Sequence, residues 1–116
     1  MKANIAYFRK VALSFKDVEE MPHFHLASFR VKKKIFATLW ENENKVMLKL
    51  SLNDQSVFCA FDVKVFYPVP GLWGKQGATF VNLGKVRKGM LKDVLQCAFQ
   101  RILEKSSNTR QGKLRL

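Results

Sequence analysis

Between residues 91 and 102 one pattern limits what this chain can become. Leu91, Val94, Leu95, Ala98, Phe99 and Ile102 recur at i, i+3 and i+4, the spacing of one helix face. Lys92, Gln96, Gln100, Arg101 and Lys105 occupy the rest of that surface. An apolar helix face this wide has to be covered by a second layer, so the remaining sequence must supply a sheet or further helices.

It supplies both. Ile5, Phe8, Val11, Ala12 and Phe15 also fall at helical spacing behind Asn4, a capping residue, and predict a helix ending before Pro22. Strand patterns follow at Ser28–Val31 and Ile35–Trp40, separated by Lys32-Lys33-Lys34 as a turn. After the polar stretch 41–45, Val46, Leu48 and Leu50 share one strand face, with Met47 and Lys49 on the other. Ser51 or Asn53 can cap a helix over 54–61. Val63–Tyr67 returns to strand, Pro70–Gly77 is rich in turn formers and is expected to be a loop, and Ala78–Leu83 is strand again. The order α-β-β-β-α-β-β-α predicts an α+β domain with a five-stranded antiparallel sheet and helices packed against it. Residues 1–105 form a single domain in this reading, and 106–116 a basic, flexible C-terminal extension.

Charge is the unusual part of the composition. Twenty-one Lys and Arg face nine Asp and Glu, a net +12. Residues 1–63 carry ten basic and seven acidic groups, whereas 64–116 carry eleven basic groups against Asp93 and Glu104 alone. An excess of +9 in the second half points to an anionic partner: nucleic acid, an anionic membrane surface or an acidic protein. No apolar run reaches the roughly 18 residues of a membrane-spanning helix. Charge at Lys2, Arg9 and Lys10 interrupts any signal-peptide core, so a cytoplasmic protein is expected. Cys59 and Cys97 are far apart, lack a CxxC partner and sit in apolar company. They read as buried free thiols, not as a disulfide or zinc ligands.

Several stretches resemble a known family. Val18-Glu19-Glu20 leads into Ala27-Ser28-Phe29-Arg30-Val31, then come Lys34-Ile35-Phe36-Ala37-Thr38-Leu39 and Lys49-Leu50. A later block runs from Trp73-Gly74-Lys75-Gln76-Gly77 through the strand to Leu83, and Ala98-Phe99 lies in the closing helix. In order and spacing, over about residues 4–104, the chain resembles the bacterial MmcQ/YjbR family. It departs from that pattern in having His25-Leu26-Ala27 where many members have a glycine turn, and Ala78 where many have Trp. The resemblance implies a CyaY-like, or secretion-chaperone-like, fold and a DNA-binding role in a double-wing arrangement, without established enzymatic activity. Iron handling, which frataxin-like relatives perform with an acidic helix, is disfavoured because Arg9, Lys10 and Lys16 occupy the first helix region.

Three clusters are candidates for phosphate contact. Arg30, Lys32, Lys33 and Lys34 surround a hairpin turn and would project as a wing tip. Trp73, Lys75 and Gln76 lie in a glycine-bracketed loop where Trp73 offers a stacking face. That loop is not a Walker loop, because no Lys-Ser or Lys-Thr pair follows its last glycine. Lys85, Arg87 and Lys88 precede the last helix, where their charge adds to the positive end of its dipole. Each cluster also has an ordinary reading as solvated surface charge. His23 and His25 would face one side of an extended stretch, and a metal there would need further ligands, which nearby Glu19 or Glu20 could supply although no motif fixes their positions; no GxSxG supports a hydrolase. The expectation is a non-enzymatic DNA-binding protein without cofactor or metal. The alternative is a chaperone-like module that binds a protein partner on an exposed sheet face or edge.

Overall fold

The computed structural model describes the backbone of residues 2–115 and the side chains of residues 2–105; the expected extension over 106–116 lies outside the described side chains. The elements in chain order are α1 (Ile5–Ser14), β1 (Val18–His23), β2 (Leu26–Val31), β3 (Lys34–Trp40), β4 (Lys45–Lys49), α2 (Leu52–Phe61), β5 (Phe66–Pro68), α3 (Leu72–Lys75), β6 (Ala78–Asn82) and α4 (Lys88–Arg115). The strands form one antiparallel sheet in the order β1-β2-β3-β4-β6-β5.

The predicted core is present. Leu91, Val94, Leu95, Ala98 and Ile102 of α4 and Phe8, Val11 and Ala12 of α1 are buried against one sheet face. Phe29, Ala37, Leu39, Val46, Leu48 and Val81 meet them from the strands. Phe8 meets Phe29 edge-on at 5.0 Å, and Phe99 stacks on Phe15 at 4.7 Å. Between β2 and β3 the register shifts, so that Phe29 pairs with Ala37 but Arg30 with Ile35. Phe36 is the extra residue of this bulge and joins Ala37 in the core. The two caps are as expected: Asn4 Oδ1 accepts from the Tyr7 N–H at 2.8 Å, and Ser51 Oγ from the Asp54 N–H at 3.0 Å.

The sheet has six strands, not five. The additional one, β1, is an edge strand, and four of its six residues are exposed, so it carries no alternation to read. An edge also tolerates Pro22, which has no N–H to donate to a ladder. At the other edge, β5 starts later than the predicted Val63. Asp62 Oδ1 accepts from the Lys64 N–H at 2.9 Å and its carbonyl from the Val65 and Phe66 N–H groups, a turn that delays the strand to Phe66. The predicted loop 70–77 contains the single helical turn α3. His23 closes β1 and His25 lies in the following turn, so the two imidazoles do not share an extended stretch.

The second sheet face carries a smaller apolar cluster of Met47, Ala78 and Phe80, with Trp40, Tyr67 and Val69 packed on it. Lys45 lays its ammonium 3.9 Å from the Phe80 ring centroid and pairs with Glu43 at 3.1 Å. This face is therefore largely filled by its own side chains. The exposed apolar residues Val57, Phe61 and Val63 lie instead on α2 and just beyond it.

Candidate nucleic-acid interface

In an antiparallel sheet the start of one strand lies beside the end of the next. Lys34 opens β3 and Lys49 closes β4, so the two sit at the same end of the sheet although fifteen residues apart in sequence. Ala78, which opens β6, pairs with Lys49 at that end. The α4 helix adds Arg101 and Lys105, four residues apart and hence on one helix face, with buried Ile102 beside them. Together these groups line a cleft of about 780 Å³. Ile35, Leu50 and Ile102 contribute its apolar surface, and Trp73 and Gln76 of the α3 region complete the wall. Four cations line this space, and no described Asp or Glu does.

At Lys49 the surroundings disfavour the charge that the side chain carries. Burial pushes the Lys49 ammonium below its ordinary value, and the Lys105 charge pushes it the same way. Other cations are neutralised locally: Arg9 pairs with Glu20 and Glu41, and Lys45 with Glu43. Among the described residues these ion pairs involve neither Lys34, Lys49 nor Arg101. Arg101 also borders a second cleft, where Asp54, Asp93 and Glu104 lie. The first cleft is thus cationic and its neighbour acidic, with Arg101 between them.

Trp73 is 63 % exposed, and its backbone is held from several sides. Gln55, buried on α2, donates from Nε2 to the Gly74 carbonyl at 2.9 Å and to the Ala78 carbonyl at 3.1 Å. Gly74 packs so closely on Val69 that a Cβ would lie 1.8 Å from the Val69 carbonyl oxygen. Gly77, at φ +110°, would bring one 1.9 Å from the Leu50 oxygen. Only glycine fits at these two positions. The chain therefore presents a large aromatic side chain to solvent on a fixed support.

The predicted clusters separate. Lys34, Trp73 and Gln76 meet at the cleft. Lys32 and Lys33 form the exposed two-residue turn beside Lys34, at φ 51° and 69°, in the left-handed region that lysine disfavours. Lys34 itself belongs to the strand and pairs with Val31. Lys75 is exposed on α3 but does not line the cleft. Arg30 is committed elsewhere: its guanidinium donates to Ser28 Oγ at 2.9 Å and to the Pro22 carbonyl at 3.5 Å. Lys85, Arg87 and Lys88 lie at the opposite end of the sheet, where Lys2 bridges to Arg87 and Lys88 lies over the Tyr7 ring at 5.1 Å. Along α4, Lys88 and Arg101 are separated by about 20 Å. Lys49, Arg101 and Lys105 were not among the predicted contacts. Their signal was the i, i+4 basic pair beside Ile102 and the strand-end position of Lys49.

Cys59 and Cys97 are free and half-buried, and burial raises both thiol pKa values, for Cys97 with help from Asp54 and Asp93. Among the described residues, no group of three or more His, Cys, Asp or Glu is placed to hold a metal ion. Nor, among them, is any helix long and apolar enough to cross a membrane.

Comparison with known proteins supplies a frame. A family model described as YjbR matches residues 13–101. The crystal structure of Deinococcus radiodurans protein DR2400, whose domain is described as DUF419, is similar at a TM-score of 0.78 and 18% identity. The match covers 90% of this chain and 81% of that one, and establishes the shared fold. No curated protein matches the chain.

Proposed function

The chain belongs to the YjbR family, and from that premise we propose that it is a non-enzymatic DNA-binding module that grips phosphates at one end of its sheet. The observation that carries this reading is the convergence of Lys34, Lys49, Arg101 and Lys105 on one cleft that no described carboxylate lines. Lys32 and Lys33 extend the same surface from the adjoining turn. The double-wing role implied by the family resemblance agrees with a contact made by a hairpin tip; the basic loop expected before the last helix, Lys85 to Lys88, stands at the far end of the sheet and lies outside this contact. Little sequence specificity is expected, because α4 commits its apolar face to the core and no other long helix is free to enter a groove.

Fluorescence anisotropy with labelled DNA across a salt series tests the proposal. With about five phosphates neutralised on a duplex, log Kobs falls against log salt with a slope of about −4.5. Replacing Lys34 and Arg101 together by Gln is expected to reduce the slope by about two. Absence of binding at low salt, or a slope near zero, refutes the reading.

A further inference from the structure

We propose that the DNA taken by this cleft is an unpaired strand, with its phosphates among Lys34, Lys49 and Arg101 and a base stacked on Trp73. This rests on the phosphate-binding reading above and narrows its substrate.

The first reason is the placement of the indole. Trp73 lines the cleft shared by the cations, yet keeps most of its surface in solvent. An aromatic face beside a row of cations is the arrangement that single-strand-binding grooves use, because every unpaired base has a π-face to offer. In a duplex those faces are covered by neighbouring base pairs, so Trp73 would have no stacking partner there.

The second reason is the cost of holding the indole where it is. Two glycines that admit no Cβ and a buried Gln55 amide fix the turn carrying it. Burying Trp73 would remove a large apolar side chain from water, but the fold leaves it exposed on a rigid support. A pre-positioned platform loses little freedom when a base arrives. The scale of the cleft is the third reason. At about 780 Å³ it lies within the usual range for sites that enclose a small ligand, and it matches a nucleotide or two.

The experiment compares three labelled probes of equal length: a 12-nucleotide oligothymidine, a 12-base-pair duplex, and an abasic strand that keeps the phosphates without bases. The oligothymidine is expected to bind at least tenfold more tightly than the other two at the same salt. Trp73→Ala should weaken oligothymidine binding by roughly ten- to a hundredfold and leave duplex and abasic binding unchanged. Trp73→Phe should restore most of the loss. The side chain is exposed, so the variant should keep its fold, which circular dichroism checks. In a Trp40→Phe background, oligothymidine should also quench the remaining indole fluorescence. Equal or tighter binding of the duplex, or an unchanged oligothymidine affinity in Trp73→Ala, overturns this inference and leaves the phosphate reading standing. Failure of all three probes to bind overturns both.

Discussion

Gln55 is the most direct test of how the site is supported. Its Nε2 donates to two carbonyls, those of Gly74 and Ala78, and its side chain is buried. Gln55→Met keeps the length of the side chain and removes both donors. Neither carbonyl is then orphaned: Gly74 O still receives the Gly77 N–H at 3.1 Å, and Ala78 O the Val69 N–H at 3.0 Å. The loss therefore belongs to the net value of a hydrogen bond, about 0.5–1.5 kcal/mol each, not to the larger penalty of a bare buried acceptor. Two bonds give about 2 kcal/mol. An unfolding entropy of roughly 2.1 cal/mol/K per residue over a chain of this length converts that to a fall in Tm of about 8 °C. Gln55→Glu should cost more at neutral pH, because an ionised carboxylate faces two carbonyl oxygens with no proton to offer. Thermal melts followed by circular dichroism at pH 7 read both. If Gln55→Met melts within about 2 °C of the parent, or Gln55→Glu is no worse than Gln55→Met, the account of the α3 support is wrong.

Other expectations follow from particular contacts. Gly77→Ala meets backbone at φ +110° and should cost more than about 3 kcal/mol in urea unfolding, whereas Gly71→Ala, at φ +82° with nothing within 4 Å, should cost less, about 2 kcal/mol from backbone strain alone. Changing Lys32-Lys33 to Asn-Gly relieves two left-handed lysines and should raise stability by about 1 kcal/mol or more, while lowering the salt slope of DNA binding. By NMR, Lys49 should titrate below the ordinary lysine value of 10.5, and Lys105→Gln should move it upward. The unfolded chain then holds that proton more tightly than the folded one, so the contribution of Lys49 makes stability rise with pH between the two pKa values. DNA phosphate in the cleft should raise the Lys49 pKa and flatten that dependence.

What could be read in the sequence divides along a physical line. The α4 face was legible because Leu91 to Ile102 repeat within a single element, and local periodicity needs no knowledge of neighbours. Asn4 and Ser51 were legible as caps for the same reason. β1 was not, because an exposed edge strand carries no burial pattern and its Pro22 looks like a breaker until its edge position is known. The cleft was hidden more deeply. Its cations come from the start of one strand, the end of the next and the far part of a helix, so no window of sequence holds them together. Arg30 and Lys34 illustrate the difficulty: four residues apart, one is tied to Ser28 and Pro22 and the other lines the cleft.

The same reasoning changes the meaning of the net +12. Its concentration after residue 63 led to Lys85, Arg87 and Lys88, yet these follow the end of β6, and β6 begins at the cleft and leads away from it. Lys34 and Lys49, from the less basic half, stand where β6 begins. In an antiparallel sheet a strand reverses the end reached every few residues, so charge is sorted by strand terminus and not by sequence half. A lysine that opens β3 and one that closes β4 must share an end, whereas a basic run after β6 must face the other. A cationic surface of this fold is therefore assembled across connections, and a substitution that moved a lysine from the end of β4 to its start would leave the net charge intact while removing that lysine from the cleft.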